Sequence, residues 1–279
     1  MPAERVAPSD DRPIGMFDSG FGGLTVARAL IDLLPGEDLV YVGDTGRYPY
    51  GPRPAGQVRS FSQQIMAKLV DEHDVKAVVV ACNTAAAAGL ELLGSDAVPV
   101  MSVIEPGLRA ALSASVSGRV GVIGTVGTIA SGAYQRAAAT MAAAGRAELT
   151  YAACPGFVEF VERGDTDSDQ VHVLAERLLA PVRDAKVDTL LLGCTHYPFL
   201  ARTLSDVMGR DVVLVSSADE TAFEVASVLT ETGLCRRATA GGTHRWISSG
   251  DTAAFRRLGQ RLLGPEIDQV ESWEPPGAP

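Results

Sequence analysis

Short apolar segments alternate with amphipathic helical segments along most of the chain, and this alternation restricts the fold more than any other feature. Helical patterns such as GGLTVARALIDLL and DQVHVLAERLLAPVRDA separate eight segments that are rich in β-branched residues: PIGMFDSG, DLVYVGD, KAVVVACN, VPVMSVIEP, GRVGVIGT, AELTYAACP, VDTLLLGCT and DVVLVSSA. Nearly continuous apolar strands separated by helices are typical of a parallel sheet with helices on both faces. The sequence therefore predicts an α/β fold with mainly parallel sheets.

The α/β pattern occurs twice, which predicts two similar domains. IGMFDSGFGGLTVARAL resembles VGVIGTVGTIASGAYQRA, and each is followed, after further α/β units, by an apolar strand that ends in cysteine. Asp18 and Cys82 are 64 positions apart, and Gly124 and Cys194 are 70 apart. Catalytic groups of such sheets collect at the carboxyl ends of the strands. We therefore expect two pseudo-symmetric domains whose cleft contains both cysteines.

Residues that break or cap helices mark the predicted domain boundaries. Pro106 and Gly107 interrupt the chain after the first four strand segments. A helix returning to the first domain can be capped by Ser216, Ser217 or Asp219. We predict a first domain at 13–105 plus 214–279, a second at 106–213, and a disordered tail at 1–12. The last segment, PEIDQVESWEPPGAP, is acidic and proline-rich, and we expect it to be loose.

Charge and composition exclude several classes of function. The 279 residues carry a formal net charge of −10, which argues against general binding to nucleic acids or anionic membranes. No apolar run approaches the length of a membrane span, and the first residues lack the apolar core of a signal peptide. We therefore expect a cytoplasmic protein. Lysine occurs at only three positions, none typical of a pyridoxal phosphate site.

Two of the four cysteines stand at equivalent and unusual positions. Cys82 and Cys194 each end an apolar strand, and polar residues follow both at once, in ACNTA and GCTHYP. A lone cysteine at such a position is most often a small buried side chain, and we interpret Cys154 and Cys235 in this way. Two thiols on opposite sides of one carbon have another use. One removes a proton as thiolate and the other returns a proton from the opposite face, which inverts a stereocentre.

Other cysteine chemistries fit the sequence less well. A zinc site usually shows closely paired ligands, and the chain has neither CxxC nor HExxH. A disulfide oxidoreductase also needs the CxxC pair. A cysteine hydrolase needs one thiol and one histidine, and leaves the second thiol unexplained.

Two loops carry further candidate residues. In FDSGFGG, Asp18 is suited to shuttle a proton or to tune a thiol, and Ser19 to donate a hydrogen bond to a small anion. This loop has neither the GxGxxG spacing of a dinucleotide site nor the GK[ST] of a P-loop. In DTGRYPYGPRP, the glycine and proline content predicts an ordered loop, and Tyr50 and Gly51 can close over a ligand. The alternative for this second loop is a surface turn with a packed tyrosine.

Six motifs together resemble the cofactor-independent aspartate/glutamate racemase superfamily, and most closely its glutamate racemases. They are GMFDSGFGGLTV, YVGDTGRYPYG, VVACNTA, VGVIGTVGTIASGAY, CPGFVEFVERG and LLLGCTHYPFL, in family order over about residues 13–265. The resemblance implies two α/β domains with the active site between them and no cofactor. It implies that Cys82 and Cys194 are the acid/base pair, with Asp18 assisting Cys82. On the other side, the motifs match His196 and Glu162, rather than Glu159, to the partners of Cys194.

The resemblance also implies the substrate contacts and the biological role. Substrate contacts carry over to Asp18, Ser19, Tyr50, Gly51, Asn83, Thr84, Thr125, Thr128, Thr195 and His196. The implied reaction interconverts L- and D-glutamate and supplies D-glutamate for peptidoglycan. The implied assembly is a homodimer, and some members of the family are associated with DNA gyrase. Two alternatives stay open: an aspartate racemase, and a racemase-fold protein with an additional gyrase-binding role.

Overall fold

The computed structural model describes residues 9–89, 98–141, 147–237 and 240–277. The strands of these residues, in chain order, are β1 (Ile14–Asp18), β2 (Leu39–Gly43), β3 (Ala77–Val80), β4 (Val100–Ser102), β5 (Arg119–Gly124), β6 (Glu148–Ala153), β7 (Thr189–Gly193), β8 (Val213–Ser216), β9 (His244–Ser248) and β10 (Glu271–Ser272). Each of the eight segments predicted as strands contains one of them.

Helices connect nearly all of these strands. They are α1 (Leu24–Leu33), α2 (Ala55–Ala67), α3 (Asn83–Ala87), α4 (Ile104–Ala114), α5 (Val126–Ala130), α6 (Ala133–Thr140), α7 (Phe157–Glu162), α8 (Asp169–Leu178), α9 (Ala180–Asp184), α10 (Ala201–Met208), α11 (Ala218–Thr232) and α12 (Thr252–Leu262). A π-helical turn at Lys68–Glu72 extends α2, and a 3₁₀ turn at Tyr197–Leu200 precedes α10. In the part of the chain that the structure describes, no helix is both long and apolar enough to cross a membrane.

The strands form two separate parallel sheets. The first has the order β10-β9-β2-β1-β3-β4, and the second has the order β6-β5-β7-β8. Every pairing between neighbouring strands is parallel. Strands β1 and β7 lie inside their sheets and are buried along their whole length, which explains their continuous apolar sequences. The predicted mixed α/β fold with parallel sheets is confirmed.

The two sheets divide the chain at a slightly different place from the predicted domain boundary. Strand β8 pairs with β7 over Val213–Ser216, so the expected boundary between residues 213 and 214 falls inside a strand of the second sheet. Helix α11 follows and packs against α1, as expected of a helix that returns to the first sheet. Helix α4 contacts both α11 and β7. The two sheets therefore share a helical layer, and the domain division remains a proposal.

The described parts of the two terminal segments make specific contacts with the rest of the protein. Residues 1–8 of the expected tail lie outside the described residues, but the Lys76 Nζ donates to the Asp10 carbonyl oxygen at 2.8 Å. The expectation of a loose C-terminal segment is wrong for its described part. Ile267 is fully buried, and β10 pairs with β9. Apolar side chains scattered through a polar segment decide this outcome, because each one packs on the first sheet's core.

One predicted helix is divided. The segment DQVHVLAERLLAPVRDA forms α8 and α9, which meet at Leu179. Pro181 stands in the first turn of α9, where a missing backbone N–H costs nothing. The proline therefore starts a new helix in place of continuing the old one.

Candidate active site

A cavity lies where strands of the two sheets end. It encloses about 610 Å³, including the part that opens to solvent. Ten of the residues singled out from the sequence line it: Ser19, Tyr50, Gly51, Cys82, Asn83, Thr84, Thr125, Cys194, Thr195 and His196. The fold therefore brings the ends of β1, β3, β5 and β7 to one place, as expected for parallel sheets. Three other singled-out residues, Asp18, Thr128 and Glu162, stand behind this lining and contact it.

Cys82 lies at the end of β3 and at the start of α3. Its Sγ accepts a hydrogen bond from the Ala85 backbone N–H at 3.5 Å, which makes it the N-cap of this short helix. The thiol also faces the Ser19 Oγ at 3.6 Å. Burial, together with the negative charge of Asp18, raises the pKa of Cys82 to about 12. At neutral pH this residue is therefore a protonated thiol.

Asp18, the last residue of β1, is a fully buried carboxylate. Its Oδ1 accepts from the Gly20 backbone N–H at 2.8 Å, and its Oδ2 accepts from the Thr195 hydroxyl at 3.3 Å. Burial raises the pKa of Asp18, although the charge of His196 and these hydrogen bonds oppose the shift. Asp18 belongs to the first sheet and Thr195 follows the second, so this contact joins the two halves of the site.

Cys194 has a different set of neighbours. The His196 Nδ1 lies 4.0 Å from the Cys194 Sγ, and its Nε2 lies 3.2 Å from the Glu162 Oε1. Burial alone would lower the pKa of His196, but the contacts with Cys194 and Glu162 outweigh it and raise this pKa to about 10. His196 is therefore an imidazolium at neutral pH. It can return a proton to Cys194 while Glu162, at the end of α7, stabilises its charge.

Three threonine hydroxyls form a closed cluster between the two sheets. The Thr84 Oγ1 lies 2.9 Å from that of Thr125 and 3.2 Å from that of Thr128, and the latter two are 2.9 Å apart. Thr84 follows β3 of the first sheet, whereas the other two follow β5 of the second. Thr84 and Thr125 line the cavity, and Thr128 is fully buried behind them. Thr128 is placed to hold the other two hydroxyls.

Asn83 presents an acceptor to the cavity. Its amide nitrogen donates to the Tyr134 hydroxyl at 2.9 Å, and its Oδ1 is buried without a hydrogen-bond partner. An unpaired carbonyl oxygen in a cavity wall is suited to accept from a ligand's N–H group.

The loop between β2 and α2 covers the cavity with Tyr50 and Gly51. The Tyr50 ring lines the cavity, but its hydroxyl donates to the buried Asp44 carboxylate. The Gly51 carbonyl oxygen accepts from the Gly127 backbone N–H at 3.0 Å, which ties this loop to α5 on the other side. Tyr50 therefore contributes a ring surface to the cavity, and its hydroxyl is engaged elsewhere.

Gly22 explains why the loop after β1 is rich in glycine. A Cβ at this position would lie 2.2 Å from the Thr195 Oγ1 and 2.5 Å from the His196 Nδ1. Any larger residue would push the two halves of the site apart. The glycines of FDSGFGG therefore permit close approach of the first sheet to the Cys194 side.

Further residues line the cavity that the sequence did not assign to it, among them Tyr48, Cys154 and Glu159, which was set aside in favour of Glu162. The Tyr48 ring lies 6.2 Å from the His196 ring, and its buried hydroxyl makes no hydrogen bond of standard geometry. Cys154, taken as structural, follows β6 directly, and burial raises its pKa to about 12. Its position at a strand end was the signal available in the sequence. Nothing in the sequence around Tyr48 indicated that it lines the cavity, because its position depends on the path of the loop between β2 and α2.

No lysine or arginine is among the residues that line the cavity, within the ranges that the structure describes. Hydroxyl groups, backbone N–H groups and His196 are the donors in its wall. An anionic ligand would therefore be held by neutral hydrogen bonds and one imidazolium, in a protein of net charge −10.

Known proteins resemble this chain over most of its length. Residues 23–224 match the Asp/Glu/Hydantoin racemase family. A glutamate racemase of Beutenbergia cavernae is 52% identical over 273 residues, which cover 93% of this chain and 92% of that protein. A glutamate racemase of Mycobacterium tuberculosis is 51% identical over 265 residues, with 94% and 96% covered.

Solved structures agree with the sequence comparison. The crystal structure of a glutamate racemase from Bacillus anthracis superposes with a TM-score of 0.86 at 40% identity, over 94% of this chain and 96% of that one. Glutamate racemase from Francisella tularensis, in complex with D-glutamate, gives a TM-score of 0.87 at 32% identity, with 95% and 98% covered. From its sequence, its two-sheet fold and these relatives, the chain belongs to the Asp/Glu/hydantoin racemase family and is similar to its glutamate racemases.

Proposed function

We propose that this protein is a glutamate racemase that interconverts L- and D-glutamate with two thiols and no cofactor. The observation that carries the proposal is that Cys82 and Cys194, which follow strands of two different sheets, line one cavity. The charge of Asp18 acts on Cys82, and His196 lies beside Cys194. The substrate is assigned from the relatives, one of which holds D-glutamate. The thiols alone would suit any amino acid with an acidic α-proton.

The reaction needs one thiolate and one thiol at the start. In one direction a thiolate takes the α-proton, and the opposite thiol donates its proton to the other face of the resulting carbanion. Cys82, with its pKa raised to about 12, starts as the proton donor in this scheme. Cys194 is then the thiolate, with the imidazolium of His196 at 4.0 Å. After turnover the thiols have exchanged roles, and protons must return through the neighbouring Asp18 and His196.

The polar groups of the cavity suit a substrate with one ammonium and two carboxylates. Asn83 Oδ1 and the Asp18 carboxylate are acceptors for the ammonium group. Ser19, Thr84 and the backbone N–H groups at the strand ends are donors for the carboxylates. The Thr195 hydroxyl is already donated to Asp18, so Thr195 contributes to substrate binding through its backbone or as an acceptor.

Exchange of the α-proton with solvent tests the reaction. D- or L-glutamate is incubated with the protein in D2O without added cofactor, and chirality and deuterium are followed together, with aspartate as the control substrate. Wild type is expected to invert glutamate with deuterium in the product. Cys82→Ala and Cys194→Ala should each lose at least about 10²-fold, since each removes a general acid/base. Inversion of aspartate in place of glutamate would assign an aspartate racemase. The absence of α-proton exchange with both glutamate and aspartate would refute the proposed racemase activity.

Further properties are proposed from the family resemblance and need their own tests. They are a homodimer, a bacterial cytoplasmic location, and a role in supplying D-glutamate for peptidoglycan. Sedimentation equilibrium tests the dimer, and rescue of a D-glutamate auxotroph tests the role. Binding to DNA gyrase stays a prediction that a pull-down with purified gyrase would examine.

A further inference from the structure

A buried charged cluster lies beside the cavity and takes no part in the proposed chemistry. Its centre is Asp44, which is fully buried and follows β2. The Arg47 Nε donates to both carboxylate oxygens at 3.0 and 2.8 Å, and the Ser249 hydroxyl donates to Oδ1 at 2.5 Å. The Tyr50 hydroxyl supplies a further hydrogen bond. A buried carboxylate with this many donors is a fixed point of the structure.

Asp44 connects directly to the two sides of the cavity. Its backbone N–H donates to the Asp18 carbonyl oxygen at 3.0 Å. Through its side chain it holds Tyr50, whose ring lines the cavity. The next residue, Gly51, accepts from the Gly127 N–H of α5. Asp44 thus fixes the loop that spans from the first sheet to the second across the cavity.

The end of the chain completes this cluster. The Arg47 guanidinium lies 4.1 Å from the Phe61 ring centroid on one side and 5.6 Å from the Trp273 ring centroid on another. Gln64 accepts from the Arg47 Nη1, and its own amide donates to the Pro276 carbonyl oxygen at 3.3 Å. We call residues 271–277 the C-terminal strap. Its backbone is anchored by the Trp273 N–H, which donates to the Ser248 carbonyl oxygen at 2.9 Å.

We propose that Asp44 is a positioning residue for the cavity loop, and that Trp273 of the C-terminal strap locks it by covering Arg47. The proposal rests on the proposed function, because the loop it positions would bind glutamate. Arg47 is 8% exposed, so removing the Trp273 ring admits water to its guanidinium. Water weakens the attraction between Arg47 and Asp44. Tyr50 and Gly51 then lose their fixed position, while both thiols and His196 keep theirs.

The expected signature is a separation of KM from kcat. Trp273→Ala should raise KM for glutamate about tenfold and change kcat by less than about twofold, since only ordering of the substrate loop is lost. Trp273→Phe keeps an aromatic face over Arg47 and should restore most of the KM. Glu271→Ala is the matched control in the same strap, because Glu271 pairs with the exposed Arg245 and not with Arg47. A wild-type KM in Trp273→Ala would overturn the proposal.

A double-mutant cycle tests whether Asp44 acts through Tyr50. Asp44→Ala and Tyr50→Phe each remove the same hydrogen bond, so the double variant should be no worse than Asp44→Ala alone. Additive effects on KM would contradict the proposal that Asp44 acts through Tyr50. Tyr50→Phe keeps the ring and all other contacts of Asp44, so it remains informative if Asp44→Ala does not fold.

Hydrogen exchange separates this proposal from the proposed function. In Trp273→Ala, the backbone amides of residues 46–53 should exchange faster than in wild type and in Glu271→Ala, because the loop opens more often. This readout needs no substrate. Unchanged exchange would refute the locking role even if the enzyme racemises glutamate. Faster exchange in a protein without racemase activity would refute only the proposed function.

Discussion

The two cysteine sites occupy matching places in the two sheets, but their charged surroundings differ. Cys82 contacts a neutral hydroxyl and a backbone N–H, and burial together with the negative charge of Asp18 raises its pKa. Cys194 stands beside His196, which is an imidazolium supported by Glu162. The two cysteines thus occupy equivalent backbone positions, but the charged group that affects Cys82 is negative and the one beside Cys194 is positive. The comparison teaches that the repeat places the two thiols at equivalent positions, whereas charged residues that differ between its two copies, such as Asp18 opposite Gly124, set their surroundings.

Thermodynamics limits the kinetic effects that this difference between the two thiol sites can have in the proposed reaction. The enantiomers of glutamate have equal free energies in solution, so the equilibrium constant of racemisation is one. Any variant must therefore lower kcat/KM equally in the two directions. Differences between the two thiols can appear only in kcat and KM separately, in pH profiles, or in thiol reactivity.

The largest effect is expected from His196→Asn, which removes the charged partner of Cys194. We expect kcat/KM to fall on the order of 10²-fold in both directions, as for loss of a general acid/base. His172→Asn is the matched control, because His172 lies on α8 and is absent from the cavity lining. Initial rates measured by circular dichroism from each enantiomer give the two values. An unchanged kcat/KM in His196→Asn would contradict this role of His196, whereas a fall in one direction only would violate the equilibrium constant and point to a faulty assay.

The second effect concerns the reactivity of Cys82. Its raised pKa of about 12 predicts that alkylation by iodoacetamide continues to accelerate above pH 9, because only the thiolate reacts. Asp18→Asn removes the nearby negative charge and should accelerate alkylation near pH 8 about tenfold, equivalent to one pKa unit. Mass spectrometry of the Cys82 peptide measures the rate, with the Cys235 peptide as internal control. A rate that levels off near pH 8 in wild type would contradict the raised pKa.

A smaller effect is expected from Glu162→Gln. The glutamine keeps a hydrogen bond to His196 but loses the charge, which costs about 1 kcal/mol, or roughly fivefold in kcat/KM. Glu162 raises the pKa of His196, so its loss lowers this pKa. The imidazolium is lost as pH rises through that value, and the alkaline decline of activity should therefore begin at a lower pH. Glu159→Gln, which alters a cavity residue outside the His196 contacts, should leave the profile in place.

The smallest effect is expected from Thr128→Val, at the junction of the two halves. The substitution removes one hydroxyl from the threonine cluster, while the hydrogen bond between Thr84 and Thr125 remains. We expect a loss of about 1 kcal/mol in the free energy of unfolding, measured by urea denaturation. Thr230→Val, at an exposed position on α11, should lose less. Equal losses would mean that the cluster contributes no more than a surface hydroxyl.

Most of the fold and much of the site could be predicted from the sequence. The positions of the strands could be predicted because buried parallel strands have continuous apolar sequences, as in β1 and β7. Cys82 and Cys194 could be identified as candidates because each combines a strand end with polar neighbours. The ordered conformation of the C-terminal strap could not be predicted. Its composition is that of a loose segment, and its order depends on Trp273 and Ile267 meeting surfaces formed by distant residues.

The sequence by itself determined the α/β pattern, the repeated cysteine motifs and the membership of a racemase family. These depend on local periodicity and on short motifs, which are properties of neighbouring residues. Only the tertiary structure decided that the Tyr50 hydroxyl donates to Asp44 and that Tyr48 and Cys154 line the cavity. It also decided that Trp273, near the end of the chain, covers Arg47. Most of those contacts join residues far apart in the chain, and Tyr50 meets Asp44, six positions away, only because of the path of the loop between them. Their energies depend on burial and distance, which no local pattern encodes.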